Sequence, residues 1–214
     1  MGLFITFEGI EGCGKSTQVE LLRGYLEARG LDVVALREPG GTVLGERIRE
    51  MLVNHGTEEI DPAGELLLYE AARAQLTARV IAPALAGGRT VVCDRFIDST
   101  VAYQGHGRGL PLEDVCDANR VAARGTTPDV TFLIDFDPAE GLARAWKRIE
   151  AAEAAEGPRE DRFESEDLAF HARVRRGYLM LAEAEPERIR VVDGRGSPAE
   201  VHRRITEIIE GILT

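Results

Sequence analysis

Gly9-Ile10-Glu11-Gly12-Cys13-Gly14-Lys15-Ser16 fits the phosphate-cradling pattern G-x-x-x-x-G-K-[S/T] with nothing missing. The flanks fit as well. Leu3-Phe4-Ile5-Thr6-Phe7 before it is apolar and reads as a buried strand, while Gln18 to Arg29 after it carries Val19, Leu22 and Leu26 at helical spacing. Strand, glycine loop and helix start are what the pattern requires. Glycines let successive backbone N–H groups turn inward, and the helix adds its positive dipole end at the same place. Lys15 supplies a cation for the β- and γ-phosphates of a nucleotide, and the Ser16 hydroxyl is a Mg²⁺ ligand type. Gly9, Ile10, Glu11, Gly12, Cys13, Gly14, Lys15, Ser16 and Thr17 are therefore the expected phosphate-binding segment.

The chain has 214 residues, which predicts a single α/β domain over 1–214. No apolar run approaches the ~20 residues of a membrane span. The N-terminus has no basic stretch leading into an apolar one, and Cys13, Cys93 and Cys116 fall at unrelated spacings. We expect reduced thiols, a cytoplasmic setting and no membrane partner. A net charge of −11 argues against a general nucleic-acid binder. Lys15 and Lys147 are the only lysines among many arginines, which makes the lysine in the glycine loop more informative.

Further strands are predicted at Val33–Leu36, Thr90–Cys93, Val130–Asp135 and Ile189–Val192, separated by helical stretches. Such alternation is the pattern of a doubly wound parallel sheet, whose ligands sit at the carboxyl ends of the strands. The residues there carry chemistry. Arg37 and Glu38 follow the second strand, ahead of a Pro-Gly-Gly turn, and Arg49 lies on the next helix. Residues 62 to 86 read as one long helix capped by Asp61, with Tyr69 and Arg73 four apart on one face. After the third strand, Asp94 suits a Mg²⁺-bound water and Arg95 a phosphate. The donor-rich run to Gln104 follows, with Gly105, Gly107 and Gly109 read as a flexible turn. An excursion at about 144–163 holds Arg144, Arg148, Arg159 and Arg162 and is the expected lid. Asp193-Gly194-Arg195-Gly196 is a candidate wall for an adenine, and Ser197 caps the last helix.

Taken together, these clusters resemble the thymidylate kinase family. The resemblance runs through Phe7 to Ser16, Arg37 to Thr42, Leu68 to Arg73, Asp94 to Ser99 into Ala102-Tyr103-Gln104-Gly105, and Arg162 to Tyr178. It implies the P-loop nucleoside-monophosphate-kinase fold, a five-stranded parallel sheet of order 2-3-1-4-5 flanked by helices, with a short lid. It implies ATP as phosphoryl donor, dTMP as acceptor, Mg²⁺ and a homodimer. Lys15, Asp94, Arg95, Arg148 and Arg162 are then the catalytic group, with Ser16 and Asp94 at the metal. Glu11, Arg37, Glu38, Arg49, Tyr69, Arg73, Arg95, Thr100, Tyr103 and Gln104 are the expected acceptor site. In it Glu11 meets the 3′-hydroxyl, Arg95 the phosphate, Tyr69 stacks on the base, and Arg73, Thr100 and Gln104 read its edge. Tyr69 stands where the family often has phenylalanine. The glycine loop holds no arginine, which is similar to the bacterial subtype with its catalytic arginines in the lid. A kinase of another nucleotide and a nucleotide-hydrolysing switch are the rival readings; the second lacks an N-K-x-D motif here.

Overall fold

The computed structural model describes residues 2–54, 59–154 and 161–213. Five parallel strands form one sheet: β1 (Phe4–Glu8), β2 (Val33–Arg37), β3 (Thr90–Asp94), β4 (Val130–Asp135) and β5 (Ile189–Asp193). Their order is β2-β3-β1-β4-β5, as expected from the resemblance. The glycine loop follows the central strand. Register places Phe7 beside Asp94 and Arg37 beside Asp94, so the chemical residues after β1, β2 and β3 open at one sheet edge.

Helices cover both faces. They are α1 (Lys15–Glu27), α2 (Val43–Val53), α3 (Pro62–Leu76), α4 (Ala82–Ala86), α5 (Ile97–Thr100), α6 (Leu112–Ala123), α7 (Pro138–Ala154), α8 (Leu168–Ala184) and α9 (Pro198–Leu213). Even in the fully buried β1, side chains alternate between two cores. Ile5 and Phe7 join Leu22, Leu26, Phe132 and Ile205, whereas Phe4 joins Leu76, Ile81, Val91 and Phe96. Capping follows the sequence. Asp61 accepts from Ala63 N at 2.9 Å, and Ser197 and Glu200 bond each other's backbone N–H across the start of α9.

Two expectations are corrected. The helix predicted over 62–86 is not uniform: a π turn at Thr77–Ile81 separates α3 from α4. Pro83 lies just beyond, and a proline there can neither donate an N–H nor fit its ring against the preceding turn without widening it. The supposed flexible turn at Gly105, Gly107 and Gly109 is largely helical, because α5 runs on into a π turn at Val101–Gly107. Only Gly109 of the three takes a left-handed φ, +82°. Gly107 is small for packing: a Cβ there would stand 2.8 Å from the Phe170 ring on α8.

Candidate active site

The site begins where β1 ends. Gly9, Gly12 and Gly14 take φ of 140°, 67° and 100°, conformations that a side chain would strain. Lys15 at the start of α1 folds back over the loop, its Nζ donating to the carbonyls of Gly9 at 3.0 Å and Ile10 at 2.8 Å. Gly12 lies against α7 so closely that a Cβ would fall 2.0 Å from the Gly141 carbonyl oxygen. The loop is thus wedged between the sheet and α7. Ser16 Oγ donates to Asp94 Oδ2 at 2.5 Å, which brings the two expected metal residues together.

A cleft of about 580 Å³ opens beside this loop. Lys15, Ser16, Thr17, Arg37, Glu38, Arg49, Tyr69, Asp94, Arg95, Thr100, Tyr103, Gln104, Arg148 and Arg162 all line it, together with Glu11, Gly12 and Gly14. Gly9, Ile10 and Cys13 form the loop beneath.

Arg95 is its centre. The residue takes a left-handed φ of 72°, a conformation that costs a non-glycine residue roughly 1–3 kcal/mol and persists only where its surroundings hold it. Those surroundings are explicit. Its backbone N–H donates to Phe7 O, and its guanidinium donates to Glu11 at 3.0 Å and to the hydroxyls of Tyr103 at 3.1 Å, Ser99 at 3.2 Å and Tyr178 at 3.1 Å.

Glu11 itself takes hydrogen bonds from Arg95 and the Tyr103 hydroxyl, and its Oε2 stands 3.1 Å from His171 Nδ1. Burial opposes the charge of Glu11. The close contact with His171 and the charges of Arg95 and Lys15 outweigh it and hold the carboxyl well below its ordinary range. Glu8, one residue before the glycine loop, is the contrary case. Burial and the neighbouring Asp98 push its carboxyl up to about 7, despite hydrogen bonds from Ser99 and Phe96 N and the charge of Arg95. Burial likewise raises the Tyr69 phenol well above its usual value.

Arg73 departs from its expected place. It is 1% exposed and does not line the cleft. Its donors reach Glu38 at 2.9 Å, Glu70 at 2.6 Å, Thr100 at 2.8 Å, Asn119 at 2.7 Å and Phe96 O at 3.0 Å. No N–H is left over for a base edge in this arrangement. The guanidinium is instead a buried brace behind two cleft residues, Glu38 and Thr100. Glu38 Oε1 is buried and receives no hydrogen bond among the described residues. Burial raises its carboxyl to about 7, with Arg73 pulling the other way.

The four arginines of the expected lid differ from one another. Arg148 on α7 is 64% exposed and donates to Glu164 at 3.2 Å. Arg162 is mostly buried, with Nε on the Leu52 carbonyl and Nη2 on Glu65 at 2.6 Å. Arg144 stacks on Phe136, 4.1 Å from the ring centroid, and Arg159 lies outside the described residues. Arg37 pairs with Glu46 at 2.9 Å, and Arg49 donates to Pro39 O at 3.3 Å. Arg195, near the proposed adenine wall, pairs with Asp193 at 2.8 Å.

Several site residues escaped the sequence reading: Glu8, Glu65, His171 and Tyr178. Two signals were present. Glu8 is a carboxylate at the end of an otherwise apolar strand, and His171 and Tyr178 are seven apart on one helix, with Val174 between them on the same buried face.

The 2-3-1-4-5 sheet, the glycine loop after its central strand and the facing arginine-lined cleft define a P-loop nucleoside monophosphate kinase. A family model for thymidylate kinase matches residues 7–205. The chain is 53% identical to a thymidylate kinase of Pelobacter propionicus over 205 residues, 96% of this chain and 92% of that one. It is 52% identical to a thymidylate kinase of Citrifermentans bemidjiense, covering 98% of this chain and 92% of the other. The crystal structure of thymidylate kinase from Ehrlichia chaffeensis superposes with a TM-score of 0.77 at 34% identity, covering 98% of each chain. The chain belongs to the thymidylate kinase family.

Proposed function

We propose that the chain transfers the γ-phosphoryl group of ATP to dTMP, giving ADP and dTDP, with Mg²⁺ accompanying ATP. The observation that carries this reading is the single cleft that joins Lys15 and Ser16 to Arg95, Thr100 and Gln104. A donor-phosphate cradle and a nucleoside-sized polar pocket share one wall, and Glu11 belongs to both.

The acceptor phosphate oxygen attacks the γ-phosphorus while the bond to the β-phosphate bridging oxygen breaks. No covalent enzyme intermediate is needed. The chain's part is to position the groups, neutralise charge and exclude water. The loop N–H groups and Lys15 hold the donor phosphates. Arg95 binds the acceptor phosphate with Arg37 and Arg49 at the rim. Glu11, kept ionised, accepts from the sugar 3′-hydroxyl, and Tyr103 closes the sugar face. Tyr69 stacks on the base. Thr100 already accepts from Arg73, so its own proton is free to be donated to a base carbonyl. Arg148 and Arg162 are the lid cations.

The residues present suit Mg²⁺. Ser16 and Asp94 offer a hydroxyl and a carboxylate in contact, and Glu38 offers a buried oxygen without a partner among the described residues. All are hard oxygen donors, and Mg²⁺ habitually takes its remaining ligands from phosphates and water. When bound, Mg²⁺ screens the phosphate charge.

A homodimer in the cytoplasm completes the proposal. The neighbouring helices α2, α3 and α6 expose Val43, Met51, Leu67 and Val121, an apolar supply for pairing. No described helix is long and apolar enough to cross a membrane.

Phosphorus NMR of the chain with MgATP tests the function. We expect dTDP and ADP to appear together, only with dTMP present and not after chelation of the metal. ADP and inorganic phosphate formed at the same rate without acceptor would refute the kinase reading.

A further inference from the structure

Glu65 on α3 is fully buried, and nothing in the reaction above uses it. Three side chains from distant parts of the chain converge on it. Gln104 Nε2 donates to its Oε1 at 2.7 Å. Arg108 donates to Oε1 at 3.2 Å and to Oε2 at 3.1 Å, and Arg162 donates to Oε2 at 2.6 Å. Burial opposes the charge, but the bonds from Arg108 and Gln104 and the charges of both arginines hold the carboxyl below its ordinary range. It is an anion and can only accept.

This settles the orientation of Gln104. An amide is nearly symmetric in shape and can present either its donor or its acceptor end. Against a carboxylate only the nitrogen end fits. Gln104 lines the cleft near Thr100 and Tyr103, and no described residue donates to its Oε1. The pocket therefore meets a fixed carbonyl acceptor.

We propose that Glu65 is a specificity-determining positioning residue. By fixing the Gln104 amide it presents an acceptor to the base, selecting a pyrimidine whose ring nitrogen carries a proton and rejecting a 4-aminopyrimidine whose ring nitrogen carries a lone pair. The inference rests on the proposed acceptor site.

Glu65→Gln makes the prediction sharp. The new amide has one acceptor oxygen, and the two arginines at the Oε2 position claim it. Its nitrogen then faces Gln104, whose amide must turn over to answer it. The acceptor facing the pocket becomes a donor. The experiment measures kcat/KM for dTMP, dUMP and dCMP with MgATP in the wild type, Glu65→Gln and Gln104→Ala. In Glu65→Gln the dTMP-to-dCMP ratio should fall by about ten-fold or more, toward that of Gln104→Ala, because a stranded buried partner is no longer confined to the cytosine complex. The dTMP-to-dUMP ratio should hold, since both rings carry the proton. Disturbing Arg162 changes turnover for every acceptor alike, so the ratio isolates the amide. An unchanged dTMP-to-dCMP ratio would overturn the inference, however much activity is lost, and so would an equal fall in both ratios. If Glu65→Gln does not fold, Glu65→Asp is held to the same two ratios, because its shorter arm withdraws the carboxylate from Gln104. A wild type with no dTMP-dependent turnover would instead overturn the proposed function itself.

Discussion

Gly141→Ala adds one methyl group to α7 at the point where that helix meets the glycine loop. The new Cβ would lie 2.5 Å from the Glu11 carbonyl oxygen and 3.2 Å from Ile10 Cδ1. An ordinary carbon–oxygen contact needs well over 3 Å, so helix or loop must move by roughly 0.7 Å or more, and the nearer obstacle is backbone. Alanine for glycine inside a helix gains roughly 0.5–1 kcal/mol. Overpacking costs typically ~1–3 kcal/mol. The net is a destabilisation of up to ~2.5 kcal/mol, and the strain falls on the loop that holds Glu11 and the phosphates. Gly24→Ala in α1 is the matched control, because a Cβ there meets nothing within 4 Å. Thermal unfolding should show Gly24→Ala raised by about 1–4 °C, with Gly141→Ala unchanged or lower. Steady-state kinetics should show kcat/KM for ATP falling by about ten-fold or more in Gly141→Ala alone. A Gly141→Ala protein as stabilised as the control, with normal ATP kinetics, would refute the claim that loop and lid helix are in tight register.

Three further outcomes follow from the same geometry. Lys15→Ala should lose ~3 kcal/mol or more of transition-state stabilisation, seen as a fall in kcat/KM at near-normal secondary structure; near-wild-type turnover would remove it from the mechanism. Arg162→Ala should lower kcat more than it raises KM for ATP, because the lid cation is drawn to charge that develops during transfer; the opposite split would make it a binding residue only. Glu38 has a folded-state value raised to about 7 from an ordinary 4.5, so its contribution is fully present below about pH 4.5 and is lost as pH rises through 7. Denaturant titrations should therefore show wild type losing ~2–3 kcal/mol relative to Glu38→Gln between pH 5 and pH 8; parallel profiles would contradict that shift.

Much of this molecule was legible in its residues. Each strand was located to within a residue at either end, since a parallel sheet covered on both faces writes itself as short apolar runs. The phosphate loop and the Asp94–Arg95 pair were legible because their chemistry demands fixed spacings. What stayed hidden depends on contacts between distant segments. Arg73 shares a helical face with Tyr69, yet partners from α5, α6 and the turn after β2 claim its donors and turn it away from the cleft. Glu65 looks like any first-turn glutamate until Arg108 and Arg162 arrive from elsewhere in the chain. The glycines at 105 and 107 read as flexible because nothing local reveals the Phe170 and Leu112 side chains that press on them.

In the proposed reaction one cleft carries a γ-phosphoryl group from ATP to dTMP. The most direct measurement is kcat/KM for dTMP and dCMP, each with saturating MgATP, in the unmodified chain. A preference for dTMP of about a hundred-fold or more is expected, because the wrong base leaves a buried reader unpaired. Equal rates on the two acceptors would contradict it.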